Sequence, residues 1–406
     1  MAGAQRVAVR PRNRKQLILA AAGEAFAERG YHHVGMEEIA AAVGVSGPAL
    51  YRHFPSKYAL FATCATSLSG RLLDEWAAAP LGADLADPVV ATAHLHDVFA
   101  TLARVTAGQR RAGGIYRWEG RYLEPADREA VRRQFEEMIE RVATGVRTVR
   151  PDDPPADVDL LSSGALSVVA SITAHRTSLP ITRLTRMVAD TATRVVHTDV
   201  PPQRSTGDPL PTAPAARRVP RRTAVLESAV HQFHAEGFAE VTIEAIAAEA
   251  GLTTSGFYRH FRSKAEVLLE ACLVASRDLD AAVEAAGIRG APPGVALDRL
   301  ARAYVAHSFS HQEQMSVYYA NVATLPAADQ ARLRALQRDH VALWVTLLRG
   351  TLPDLGPAEA RFLAMAAIST VTDLGRRLHW RDDDSTRARV HAIVGQILAA
   401  DGLSAP

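Results

Sequence analysis

The residues best suited to chemistry in this chain form one string that occurs twice. Tyr51-Arg52-His53-Phe54-Pro55-Ser56-Lys57 returns as Tyr258-Arg259-His260-Phe261-Arg262-Ser263-Lys264. Tyrosine, histidine, arginine and lysine all donate hydrogen bonds to phosphate oxygens, and the cations add charge attraction. Lys57 and Lys264 each follow a serine suited to capping a helix. Each therefore falls in a first helical turn, where an anion is favoured. Catalytic chemistry has thinner support. Asp382-Asp383-Asp384 has no second acidic motif at matching spacing, and consecutive helical residues face different sides, so it reads as a solvated loop or cap. His32-His33 and the His231/His234 pair lack the Cys or carboxylate spacing of a metal site. Cys64 and Cys272 lack activating neighbours in sequence and read as inert thiols. No nucleophile motif or phosphate loop occurs, so the expectation is no enzyme, no cofactor and no metal.

The elements that position this string repeat with it. From Arg14 to Lys57, 17 of 44 positions are identical to those 207 residues later. A repeat of that extent moves the fold question to the repeated unit. Leu19, Ala22 and Phe26, echoed by Leu226, Ala229 and Phe233, give a first helix one apolar face. Gly30 and Gly237 close it. A second helix from Met36 to Val43, with Ile39 and Ala40 inward, ends at Gly44-Val45-Ser46, matched by Gly251-Leu252-Thr253. The glycine permits a tight turn, and the Ser or Thr caps the next helix. A short third helix runs from Gly47 to His53, or Thr254 to His260, with Leu50 and Phe54, or Phe257 and Phe261, inward. Ser56 and Ser263 cap a fourth. Glu266 stands at capping-box spacing from Ser263, where the first copy has Ala59.

Helix, glycine-containing turn and short helix make a helix-turn-helix, whose second helix enters the major groove by its N-terminal end. Small residues there allow close approach to the bases: Ser46, Gly47, Pro48 and Ala49 in one copy, Thr253, Thr254, Ser255 and Gly256 in the other. Base-edge contacts depend on side-chain identity, so two unlike readers imply an asymmetric operator. Basic arms precede both copies: Arg6, Arg10, Arg12, Arg14 and Lys15, then Arg217, Arg218, Arg221 and Arg222. One arm alone reads as a solvated tail. Two at equivalent places read as a footprint on phosphates.

On Ile39-Ala40, Gly44-Val45-Ser46 and Leu50 to Lys57, and again on Ile246-Ala247, Gly251-Leu252-Thr253 and Phe257 to Lys264, the chain resembles the TetR family of bacterial regulators. The resemblance implies an all-α fold of two tandem units. Each would be a three-helix DNA-binding domain on a larger helical ligand-binding and dimerising domain. The family often has a phosphate-touching Thr before its second helix. Thr242 matches, and Gly35 departs from it. Pro55 fits the family pattern, and Arg262 departs from it. The tandem layout is similar to actinobacterial regulators of lipid and steroid metabolism, among them those of mammalian-cell-entry operons. That likeness implies a repressor released by a fatty-acyl or sterol-derived effector.

The remaining sequence sets the frame. The chain has 406 residues and a formal net charge of +2, so global charge alone does not announce a nucleic-acid binder. Two cysteines favour a reducing compartment, and the apolar runs are too short for a membrane span, so a cytoplasmic, nucleoid-associated protein without a membrane partner is expected. Pro201 to Pro220 holds six prolines and reads as a linker. The expected domains are 1–66, 67–200, linker 201–220, 221–273 and 274–406. Beyond the first reader, an offset of 202 aligns Leu123 and Asp127 with Leu325 and Asp329, with one shift at the proline (Pro125 against Pro326), so the repeat extends over the whole half. Tyr116, Trp118, Arg121 and Tyr122, with Tyr318 and Tyr319 in the second half, are candidate effector contacts, since aromatics with arginines can line an apolar cavity with a polar mouth. Core packing with a surface ion pair is the plainer account of them. The expected partners are double-stranded DNA and a small molecule. The two halves would pair within one chain, with a homodimer of whole chains left open. The competing function is a ligand-sensing or interaction protein in which one or both readers have degenerated.

Overall fold

Alanine, leucine, arginine and glutamate fill the long stretches, and these residues lose least on entering a helix. The computed structural model describes residues 14–78, 86–110, 115, 120–175, 177–203 and 220–399. The described residues form 17 α-helices and no strands. Arg6, Arg10, Arg12, Tyr116, Trp118, Arg217 and Arg218 lie outside them, as does the side chain of Arg121.

The first head is α1 (Arg14–Arg29), α2 (Met36–Ala42) and α3 (Gly47–His53), and α4 (Lys57–Ala78) leads out of it. The body continues as α5 (Pro88–Gly108), a 3-10 turn at Gly120–Tyr122, α6 (Pro125–Val149), α7 (Pro155–Ala170), a 3-10 turn at Ser171–Thr173 and α8 (Ile181–Val196). The second half repeats the order, with α14 added and the second 3-10 turn missing among the described residues: α9 (Arg221–Ala235), α10 (Ile243–Glu249), α11 (Thr254–Tyr258), α12 (Lys264–Ala285), α13 (Pro293–Ser310), α14 (Gln312–Asn321), a 3-10 turn at Val322–Thr324, α15 (Ala327–Thr351), α16 (Pro357–Arg377) and α17 (Asp384–Leu398). The repeat thus spans the whole half. α6 and α15 are 25 residues each, and α4 and α12 are 22 each.

Local details reflect the residues. The buried stripe of α1 is Ile18, Ala22 and Phe26, one residue ahead of the expected Leu19, which packs at the edge of the cluster. Val225, Ala229 and Phe233 do the same in α9. Gly44 and Gly251 both sit at φ 67°, a left-handed turn that a side chain would strain. α11 ends two residues before the expected His260, because the His260 amide bonds the Phe257 carbonyl (2.8 Å) in a tighter turn. The expected boundaries at 66/67 and 273/274 fall inside α4 and α12. Each is a single helix shared by head and body, so movement in one is carried to the other.

Three apolar clusters result: one in each head, and one that runs through both bodies. α7 packs on α16, and α8 on α17. Each of these helices faces its own counterpart, as elements about a two-fold axis do. A Cβ at Gly164 would lie 3.1 Å from Ile393 Cγ2 and 3.2 Å from Val195 Cγ1, so glycine sets this close approach. Residues 155–173 are apolar and long enough to cross a membrane, yet 67% of that stretch is buried inside the protein, as befits a core helix. Its carboxylates reach the second half: Asp157 takes Arg389 (2.6 Å), and Asp159 with Glu136 takes Arg377 (2.5 Å each). Arg183 pairs with Glu359 in the reverse direction. Asp383 caps α17 through the Thr386 amide (2.8 Å), and Arg387 pairs with Asp382 and Asp384, so the acidic triplet is accounted for as cap and ion pairs.

Candidate nucleic-acid interface

Each recognition helix is held from below by its apolar residues. Leu50 and Phe54 are buried in the first head, Phe257 and Phe261 in the second. That anchoring turns Tyr51 and Tyr258 outward, 47% and 54% exposed. Arg52, His53 and Arg259 are exposed beside them, and His260 is half-buried. Ser46, Pro48, Thr253 and Ser255 are exposed at the helix starts, while Ala49, Thr254 and Gly256 are half-buried.

Gly47 departs from expectation. It is buried, and a Cβ there would collide with the Glu37 carboxylate. Its small size admits Glu37 over the start of α3 rather than leaving room for a base. The second head has Thr254 at this position.

The helix caps differ between copies. Thr253 accepts from the Gly256 amide (3.1 Å), whereas Ser46 makes no such cap bond. Thr242 caps α10 through the Ala245 amide (3.2 Å), and Gly35 offers α2 no side-chain cap. Ser56 and Ser263 cap α4 and α12 at 3.0 and 3.2 Å. Glu266 completes its box one residue further back, accepting from the Arg262 amide (2.6 Å).

The two motif lysines are turned inward. Lys264 donates to the carbonyls of Phe238, Ala239 and Val241 (2.5, 3.2 and 2.7 Å) and lies over the Phe238 ring. Three donors are all that an ammonium has. Lys57 reaches the His32 carbonyl (3.3 Å) and lies over the Tyr31 ring. Burial holds both lysines below their ordinary range. They tie α4 and α12 to the loop after the first helix. In the basic arms, Arg222 donates to the His260 carbonyl (2.6 Å) and lies over Phe261, and Lys15 sits 5.8 Å from the Phe54 ring. Arg221 is exposed and Arg14 half-buried.

The heads are also attached differently, which the repeated motif did not reveal. Tyr58 donates to Asp127 (2.5 Å) and accepts from the Glu124 amide (2.8 Å), fixing the first head to α6. Burial and the Asp127 bond push its phenol up to about 12. Tyr122, a candidate effector contact, stacks on Tyr31 (5.8 Å) and meets His32 edge-on (4.6 Å), so it joins head to body. The position of Tyr58 is Ala265 in the second copy. There α9 rests on α14, with His231 3.6 Å from Glu313 and Val317 in the head's core. Inside the second head, Gln232 and Ser228 bond Glu249 (2.5 and 3.1 Å), where the first head has Ala25, Ala21 and Ala42. Reading the differences between copies, rather than the identities, would have found this network.

Tyr318 and Tyr319 do meet at a cavity. About 50 Å³ lies among α12, α13, α14, α15 and α16, bounded by Tyr304, Tyr318, Tyr319, His340 and Met315, with Asp280 at its rim. Met315 and Tyr319 also bound a second space of about 200 Å³, with Ser308, His234 and Arg376. α14 therefore has one face on these cavities and another on the second head.

Comparison with known proteins shows the same division. The model of the family described as "Bacterial regulatory proteins, tetR family" matches residues 18–64 and again 225–271. The HTH-type transcriptional activator FasR of Mycolicibacterium smegmatis is 54% identical over 48 residues, 12% of this chain and 22% of that protein. The uncharacterized HTH-type transcriptional regulator YerO of Bacillus subtilis is 38% identical over 52 residues, 13% and 18% of the two. The chain thus spans about a fifth of the length of these curated relatives. Among solved structures, a TetR-family regulator from Bordetella parapertussis aligns with TM-score 0.41 at 20% identity, over 44% of this chain and 94% of that one. The ketosteroid transcriptional regulator KstR2 of Mycobacterium tuberculosis aligns with TM-score 0.39 at 22% identity, over 45% and 96%. On these two segments, each folded as a helix-turn-helix, the chain matches the tetR family of bacterial regulatory proteins.

Proposed function

We propose that this protein is a transcriptional repressor that reads an asymmetric operator with two unlike heads and is released by a small lipid-derived effector. The observation that carries this reading is the pair of exposed recognition helices. They share Tyr51-Arg52-His53 and Tyr258-Arg259-His260 but differ at every one of the four preceding positions. Shared residues grip phosphate, and the differing ones read bases. One chain supplies both heads, joined through α7, α8, α16 and α17 as an internal pseudo-dimer. With Lys57, Lys264 and Gly47 otherwise engaged, the groove-facing set is Ser46, Pro48, Ala49, Tyr51, Arg52 and His53, and Thr253, Thr254, Ser255, Gly256, Tyr258, Arg259 and His260. Arg14, Lys15, Arg221 and Arg222 flank them. The effector, fatty-acyl or sterol-derived, enters beside Tyr318 and Tyr319 and takes up both spaces that Tyr319 borders, parting the helices around them. Because α14 also supports the second head, filling these spaces displaces this head first.

Salt titration of binding to DNA from the gene's own upstream region tests the reading. Affinity that falls steeply with salt yet survives competitor DNA supports it, as does a footprint lacking inverted symmetry. Deletion of the gene should raise transcription from that promoter. A fall would make the protein an activator. The competing reading, a sensor with a degenerate first head, draws on the Glu37 carboxylate over the start of α3. It is upheld if competitor abolishes binding.

A further inference from the structure

The two bodies share their helices but not their interiors. In the second body, Tyr304, His307, Ser308, His340 and Thr370 face inward, and all but His340 are buried. The matching helix positions in the first body are Phe99, Leu102, Ala103, Met138 and Val168, every one apolar and buried. At these five positions a core can be built without polar groups, because the first body does so, although it buries Ser162, Ser163 and Ser167 elsewhere. Both bodies hold buried polar atoms without partners, Ser163 Oγ and Thr193 Oγ1 among them in the first, where Thr193 lines an open groove between Pro88 and His197; in the second body they gather at these inward positions beside enclosed space. His307 Nε2, Ser308 Oγ and Thr370 Oγ1 make no well-formed hydrogen bond, though these residues are 5%, 2% and 0% exposed. Buried polar atoms without partners cost stability, and sites that bind are where such costs are tolerated. Ser308 and Tyr304 border the two spaces that Tyr319 separates, and the Tyr304 hydroxyl lies 3.4 Å from that of Tyr319. Charge is kept to the outside: Asp280 at the rim of one space and Arg376 at the rim of the other are both exposed. Burial holds His307 and His340 neutral, each pushed down to about 4.

We infer that the second body alone binds the effector, one molecule per chain, and that it selects an apolar molecule bearing an uncharged hydroxyl or carbonyl oxygen. Tyr304, Ser308 and Tyr319 hydroxyls meet that oxygen, each able to donate or accept. An ionised head group at these hydroxyls would have to lose its water with Asp280 and Arg376 out at the rims rather than beside it, so a buried carboxylate or ammonium is rejected. This rests on the effector reading above and narrows it, setting aside a carboxylate-ended acyl chain.

Four probes of one size separate the claims: cyclododecanol, cyclododecanone, cyclododecanecarboxylate and cyclododecylammonium, each added to the full chain. The alcohol and ketone should raise the Tm and bind about tenfold more tightly than either ion. Calorimetry should give one site per chain. Ser308→Ala and, separately, Tyr304→Phe should lose the shift. Thr370→Val should keep or raise the protein's own Tm, because an unpartnered hydroxyl is removed, and Ser308→Ala should change it little, because the Ser308 contact with the Tyr304 hydroxyl is not a well-formed hydrogen bond. A shift from the carboxylate or the ammonium equal to that from the alcohol overturns the ligand class and leaves the effector cavity standing. Two sites per chain overturn the confinement to the second body. No shift from any probe, or a Tm several degrees lower in both Ser308→Ala and Thr370→Val, makes the polar group structural and overturns the cavity reading with it.

Discussion

Lys264 and Arg259 sit five residues apart in a shared motif but have different work. Arg259 is exposed beside the recognition helix, whereas the Lys264 ammonium is used on three backbone carbonyls. Arg259→Ala should weaken binding to all DNA alike and lower the salt slope by about 1, as loss of one phosphate contact does. Lys264→Met should leave the slope unchanged and destabilise the fold by roughly 2 kcal/mol, the worth of hydrogen bonds from a charged donor. Salt titration and urea unfolding together distinguish the two. The motif string was legible in sequence, but the direction of its lysines was not. Spacing places a side chain on a helix turn. Only the loop carbonyls at Phe238 to Val241, brought near by folding, decide where its charge goes. The burial of Gly47 was hidden for the same reason, since the Glu37 that covers it belongs to another helix.

At the scale of elements, the second head is the better capped. Thr242→Ala removes the side-chain cap bond to α10 and should cost about 1 kcal/mol. Gly35 has nothing comparable to lose, so Gly35→Ala should shift stability by no more than a few tenths of a kcal/mol. The α13–α15 pair carries a pH dependence. His307 faces His311, His340 and Asp278, and both His307 and His340 have pKa values held near 4 by burial. The unfolded rings bind protons near pH 6.5, while the folded ones resist until about 4. Stability is therefore full above 6.5 and falls between 6.5 and 4, by up to about 1.4 kcal/mol per pH unit for each ring. His307→Leu should flatten that fall, as read by urea midpoints across the range.

For the whole molecule, the decisive feature is a charge pattern between halves. Arg377 meets Asp159 and Glu136. Their helix counterparts are His175, Arg361 and Arg338. A pairing of two second halves would set Arg377 against two arginines, and a pairing of two first halves would offer Asp159 and Glu136 only His175. The pattern favours first half on second, so the full chain should sediment as a monomer. Cutting an inserted protease site between residues 203 and 220 should leave the halves together in native mass spectrometry. Arg389→Met, which strands the largely buried Asp157, should destabilise the pairing by about 3 kcal/mol. Symmetric dimers of whole chains at micromolar concentration would refute the pattern as the determinant.

By itself, the sequence determined the all-α repeat, the two helix-turn-helix heads and the difference between the residues that open their third helices. Those properties depend on spacing within a few helical turns, so they are written in short stretches of chain. The tertiary structure alone decided where the motif lysines point, where polar side chains gather beside enclosed space, and how the halves recognise each other. Asp159 and Arg377 lie 218 residues apart, and no local pattern links them. Their meeting is a consequence of α7 and α16 packing on one another, and burial on that scale is set by the assembled core.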